Sequence, residues 1–288
     1  MDYRGLFVGL TTIDIQYFVD SFPGSNQKVK TNPPKILVGG PATNAAVAFA
    51  YLNNGTFLAT ASGINSFSQF IKNDFKTTNI EHFDLVGSQK TNPVIASVIT
   101  SNNNGDRNIV THNPIEIQPN ISPSELFQTV NPQILLLDGF YPEFSLSCAK
   151  LAKNNGIPVV LDCGSWKPQY SVLLNYTDVA ICSSDFYPQH CSTSDEVLSY
   201  LETLKIKNIA ISHGNKSIKY SENRNRGAIK IIKAQVTDTL GAGDFLHGAF
   251  CYFYLKSENF AEALEQASKL ASFSCNFEGT RDWLKFME

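Results

Sequence analysis

The chain alternates between short, nearly unbroken apolar runs and longer stretches where apolar residues recur every three or four positions. Residues 6–10, 57–61, 134–138, 157–162, 179–182 and 208–212 are runs of the first kind. Such runs predict strands buried on both faces, as in a parallel sheet. Residues 66–75, 144–155, 194–204, 245–255 and 261–277 follow the second pattern and predict helices, as does the alanine-rich stretch 42–52 behind Pro41. Repeated strand–helix alternation predicts an α/β fold in which helices cover both faces of a mainly parallel sheet, a three-layer α/β/α body.

Two stretches break the alternation. Residues 15–37 carry a Pro23-Gly24-Ser25-Asn26 turn and Pro33-Pro34, which suit short extended pieces and edge strands. Residues 93–100 and 108–111 are β-rich and joined through Asn104-Gly105, a hairpin signal. Composition adds limits. At 288 residues the chain can bury a sizeable core, and a formal net charge of -3 gives no basic footprint, so nucleic acid is not an expected partner. No segment approaches the roughly 18 apolar residues of a membrane span, and the start is too short an apolar run for a signal peptide, so no membrane partner and a cytoplasmic location are expected. The six cysteines lack C-x-x-C pairing and sit mostly inside apolar runs, as free thiols of a reducing compartment would. The five histidines show no metal-ligand spacing.

Candidate chemistry is concentrated in Asp238-Thr239-Leu240-Gly241-Ala242-Gly243-Asp244-Phe245-Leu246-His247-Gly248. Gly241, Ala242 and Gly243 are small enough to let backbone N–H groups converge at a helix N-terminus, a hollow that suits an anion. Asp244 would repel a phosphate held there, and suits a base that accepts a hydroxyl proton during phosphoryl transfer. The same residues also fit a glycine turn before a helix with an ordinary first-turn carboxylate. Neither a Walker loop nor a Rossmann glycine pattern is present. In the second stretch, Val38-Gly39-Gly40-Pro41-Ala42-Thr43-Asn44, the glycine pair leaves room for a ligand against bare backbone and Asn44 offers both a donor and an acceptor. As pattern alone it is equally a glycine turn and a buried helix.

Asp-Thr-x-Gly-Ala-Gly-Asp and Gly-Gly-x-x-x-Asn-x-Ala, in this order and at opposite ends of the chain, resemble the two signatures of the ribokinase-like carbohydrate kinases, the PfkB family. The resemblance covers essentially the whole chain and implies one domain, residues 1–288, with a small β-lid built from about 12–37 and 92–113. It implies ATP-dependent phosphorylation of a sugar hydroxyl, a primary alcohol by preference, with Mg2+ and in some members a monovalent cation such as K+ near Asp238 and Thr239. Asp244 would be the base, needing no unusual pKa, and Gly241, Ala242 and Gly243 the anion hole. Asp14 (otherwise a turn or cap residue), Gly39, Gly40 and Asn44 would hold the sugar. Arg107, otherwise a solvated charge, would close over it, and Lys167, otherwise an exposed lysine, would meet a phosphate. Where the family carries Asn-x-x-Glu for magnesium, this chain has Ser183-Ser184-Asp185-Phe186, which leaves Asp185 as the candidate metal residue. Exposed lid edges make a homodimer an expectation. A nucleoside kinase and a catalytically idle ligand-binding relative are the alternative readings.

Overall fold

The computed structural model describes residues 3–53, 55–112, 116–232 and 234–286. In chain order the elements are β1 (Arg4–Val8), β2 (Thr12–Val19), β3 (Lys35–Gly39), α1 (Pro41–Leu52), β4 (Gly55–Thr60), α2 (Ser68–Thr77), β5 (Glu81–Asp84), β6 (Val94–Ser101), β7 (Arg107–Thr111), α3 (Pro123–Val130) and β8 (Ile134–Leu137). They continue as α4 (Pro142–Asn154), β9 (Val159–Cys163), α5 (Tyr170–Leu173), β10 (Val179–Ser183), α6 (Ser194–Thr203), β11 (Asn208–His213), β12 (Lys216–Glu222), β13 (Asn225–Ile229), α7 (Ala242–Ser257) and α8 (Phe260–Ser274).

Nine strands form one sheet in the order β13-β12-β11-β10-β9-β8-β1-β4-β5, all parallel except β12, which runs antiparallel to both β11 and β13. Its apolar runs are continuous because both faces are covered. Leu6 and Val8 of β1 pack in one core with α3, α4 and α6, while Phe7 between them packs in a second core with α1, α2, α7 and α8. The chain leaves β1 toward β4 and β5, then returns on the other side of β1 with β8. This reversal is where ligands of open α/β sheets bind, at the carboxyl ends of the strands. Asp138 just past β8 fastens that edge: its Oδ2 accepts from Leu10 N at 2.7 Å and Ala42 N at 3.2 Å, and its Oδ1 from Phe140 N at 3.0 Å. Burial pushes its pKa up to about 6 against these backbone hydrogen bonds.

A second sheet of four strands, ordered β3-β2-β6-β7, joins the body at the same edge. The expected hairpin is the antiparallel pair β6–β7. β2 is longer than the mixed pattern of residues 15–37 suggested: it pairs with β3 on one side and, in parallel, with β6 on the other. The turn or cap alternative for Asp14 is thereby corrected, since Asp14 is the third residue of β2. All six cysteines are free. Among the described residues no helix is long and apolar enough to cross a membrane.

Candidate active site

α7 begins in the signature. Gly241 is its N-cap, in a left-handed conformation with φ of 77°, and Ala242, Gly243 and Asp244 form the first turn. First-turn N–H groups have no intrahelical acceptor, and open space lies where a Cβ on Gly243 would be, so this end of the dipole is available to an anion. The spacing between α7 and α1 is set four residues on. A Cβ on Gly248 would lie 1.9 Å from the carbonyl oxygen of Ala45, so only glycine lets the two helices come this close. The residue before Ala45 profits: Asn44 Nδ2 donates to Asp244 Oδ2 at 2.9 Å.

Asp244 is half-buried. Burial and the neighbouring Asp162 carboxylate push its pKa up to about 7, while the Asn44 N–H, His247 and Arg107 pull in the opposite direction. The role of base did not require such a rise; its physical cause is burial together with the Asp162 carboxylate from β9, which no residue pattern displays. Asp162, 6% exposed at the end of β9, lies 3.5 Å from His247 Nε2. His247, expected as a plain helix-face residue, is buried with Nδ1 2.6 Å from Gly243 O and Nε2 3.1 Å from Ile181 O, and so ties the first turn of α7 to β10.

On the small sheet, Asp14 is buried and accepts from the Thr12 hydroxyl at 2.6 Å. Burial raises its pKa; Thr12 and the cation of Arg281 oppose the rise. Gly39 ends β3 beside it, and Gly40, with φ of 104°, is the N-cap of α1. Arg107 opens β7 and reaches across to the signature loop, where Nη1 donates to Thr239 Oγ1 at 2.5 Å. Lys167 is placed differently from a free phosphate ligand: its ammonium donates to the Tyr170 hydroxyl at 3.0 Å and stands over the Phe140 ring at 4.5 Å. Asp185 is exposed, two residues beyond β10 on the same sheet edge.

Two residues that sequence reasoning passed over complete the site. Arg281 Nη1 donates to Asn44 Oδ1 at 3.0 Å, and its Nε and Nη2 meet the Asp74 carboxylate at 3.1 and 3.0 Å. Arg281 and Asp74 lie 207 positions apart, so no local pattern signals the pair.

The sequence matches the pfkB family carbohydrate kinase description over residues 5–285. It is 24% identical to a ribokinase of Lactococcus lactis over 90% of this chain and 86% of that protein. It is 25% identical to a nucleoside kinase of Methanocaldococcus jannaschii over 98% and 94%. In fold it is similar to the Arabidopsis thaliana ribokinase complexed with ribose and ATP, with a TM-score of 0.74 at 19% identity and full coverage of both chains. With a small β-sheet set over a ribokinase-like α/β/α body and both signatures at one sheet edge, this chain belongs to the pfkB family of carbohydrate kinases and is a phosphotransferase of the sugar- or nucleoside-kinase type.

Proposed function

We propose that the chain transfers the γ-phosphoryl group of ATP to a sugar hydroxyl, a primary alcohol, with Asp244 as general base. The observation that carries this is Asp244 itself, placed in the first turn of α7 beside Gly241, Ala242 and Gly243 and with its pKa raised to about 7. The hydroxyl oxygen forms its bond to γ-phosphorus as the bond to the β–γ bridging oxygen breaks and ADP leaves; the hydroxyl proton passes to the Asp244 carboxylate. N–H groups of residues 241–243 take up charge on the phosphoryl oxygens. A carboxylate with a pKa near neutrality suits that task. Asp14 accepts from sugar hydroxyls, Asn44 donates to them, Gly39 and Gly40 allow close approach, and Arg107 closes from β7. Lys167 would reach a phosphate only by giving up Tyr170.

Among the described residues no three His, Cys, Asp or Glu side chains cluster to hold a metal. The lone exposed carboxylate of Asp185 fits a magnesium ion that arrives with nucleotide and keeps its waters, supplying charge neutralisation on the phosphates. A monovalent cation such as K+ fits the surroundings of Asp238, where Gln16 Oε1 is buried without a hydrogen-bond partner. We read the small sheet as a lid that excludes water from the reaction, since hydrolysis of ATP competes. Its outer strand β7 is exposed throughout, with Val110 73% exposed, which supports a homodimer through the lid; a monomeric mass in solution would contradict it.

A nucleoside acceptor is the second reading. The likeness to a nucleoside kinase, 25% identical over 98% of this chain, supports it. Product formation with ATP and magnesium across pentoses, hexoses and nucleosides tests both: a phosphorylated sugar supports the first, a phosphorylated nucleoside alone the second, and no product with any acceptor contradicts both.

A further inference from the structure

Asn44 can point its amide two ways. With the amide turned over, its carbonyl oxygen would face the Asp244 carboxylate and repel it; as observed, its NH2 faces Asp244 and its carbonyl faces Arg281. A guanidinium only donates, so Arg281 decides between the two. All five of its N–H groups are engaged. Nε and one N–H of Nη2 bind Asp74, the other N–H of Nη2 binds Val38 O at 2.9 Å, and Nη1 divides between Asn44 Oδ1 and Thr280 O, each at 3.0 Å. Neither Arg281 nor Asp74 has a side chain more than 16% exposed. A guanidinium so fully used is a strut, with nothing left over to bind an anion.

We propose that Arg281, clamped by Asp74, is a positioning residue for phosphoryl transfer: it fixes the Asn44 amide so that Asn44 donates to Asp244. Asn44 then presents only N–H to an acceptor hydroxyl, and the hydroxyl proton is left to point at a carboxylate. The same guanidinium holds the carbonyl of Val38, the residue before Gly39, so one group sets both the end of β3 and the base. The catalytic consequence rests on the reading of Asp244 as base; the orientation of Asn44 does not.

Arg281→Lys keeps the charge and removes the fork. The other groups facing Asp244 are Asp162 from β9, His247 from α7 and Arg107 from β7, and none is altered. With 13C-labelled aspartate, the Asp244 carboxyl is identified by its loss in Asp244→Asn and titrated in both proteins. The expected result is a midpoint about one pH unit higher in Arg281→Lys, because a donated hydrogen bond to the carboxylate is lost. An unmoved midpoint overturns the proposal. This titration needs no acceptor, so it reads the positioning even if the chain phosphorylates nothing in the panel. In turnover, kcat at pH 7 should fall about fivefold with KM for ATP changed less than about threefold, and Asn44→Ala/Arg281→Lys should be no worse than Asn44→Ala alone. Additive losses mean that Arg281 acts by another route and overturn it. Should Arg281→Lys not fold, Asp74→Asn loosens the clamp with the guanidinium kept; lowered kcat at unchanged KM for ATP supports the proposal, and wild-type kcat overturns it.

Discussion

Gly39 stands so close to Asp14 that a Cβ on it would lie 2.0 Å from Asp14 Oδ2. Gly39 is paired with Thr12 across the antiparallel β2–β3 ladder, which makes Asp14 its diagonal neighbour on the same face. The missing side chain is the space in which the carboxylate sits. Gly39→Ala should displace Asp14 and lower kcat/KM for the acceptor by roughly 10²-fold, with KM for ATP nearly unchanged. Steady-state kinetics with each substrate varied in turn checks this; an unchanged acceptor kcat/KM would remove Asp14 from the sugar site.

With Asp244 as the base, its pKa would set the pH profile. A base must be ionised to accept a proton, and burial has raised this carboxyl from 3.8 to about 7. Activity should therefore be lost as pH falls through about 7, with acceptor kcat/KM dropping nearly tenfold per pH unit below it and level above. A profile flat down to pH 5 would mean that no group with this pKa takes the proton.

Gly248 is tested through stability and activity together. Gly248→Ala forces a methyl into the Ala45 carbonyl and should cost about 1–3 kcal/mol of folding stability through overpacking. Because Asn44 and Asp244 ride on the two helices being pushed apart, kcat should also fall in the protein that remains folded. Denaturant unfolding and kinetics on the same sample measure both; loss of stability with wild-type kcat would separate the helix contact from the base.

Lys167 should matter to packing more than to nucleotide. Its ammonium lies over the Phe140 and Tyr170 rings at 4.5 and 5.0 Å. Lys167→Met should change KM for ATP by less than about threefold and lower Tm by about 1–2 °C, from a cation–π contact of roughly 0.5–1 kcal/mol. A tenfold rise in KM for ATP would show that Lys167 leaves Tyr170 for a phosphate.

Much of this architecture is legible in local pattern. The buried parallel strands and the helices around them follow from apolar runs and periodicity, and the β6–β7 hairpin from Asn104-Gly105. The small residues at 241–243 and the glycine pair at 39–40 mark where backbone must be bare. What stayed hidden is set by long-range packing. Asp14 was indistinct because β2 borrows its partners from β3 and β6, up to 82 positions away in register. α3 and the β12–β13 hairpin lie in mixed, polar-rich stretches where neither period stands out. Arg281 and Asp74 lie 207 positions apart, and the raised pKa of Asp244 arises only once folding buries it beside Asp162 of β9.

Whether Asp244 takes the acceptor proton is tested by phosphoryl transfer from ATP by wild type and Asp244→Asn, side by side with the acceptor that gives product. The Asn44 amide and the N-terminus of α7 remain in the variant, so binding should survive. With Asp244 as base, kcat should fall by about 10² or more with KM for both substrates within a few-fold. Turnover by Asp244→Asn at the wild-type rate would contradict that role.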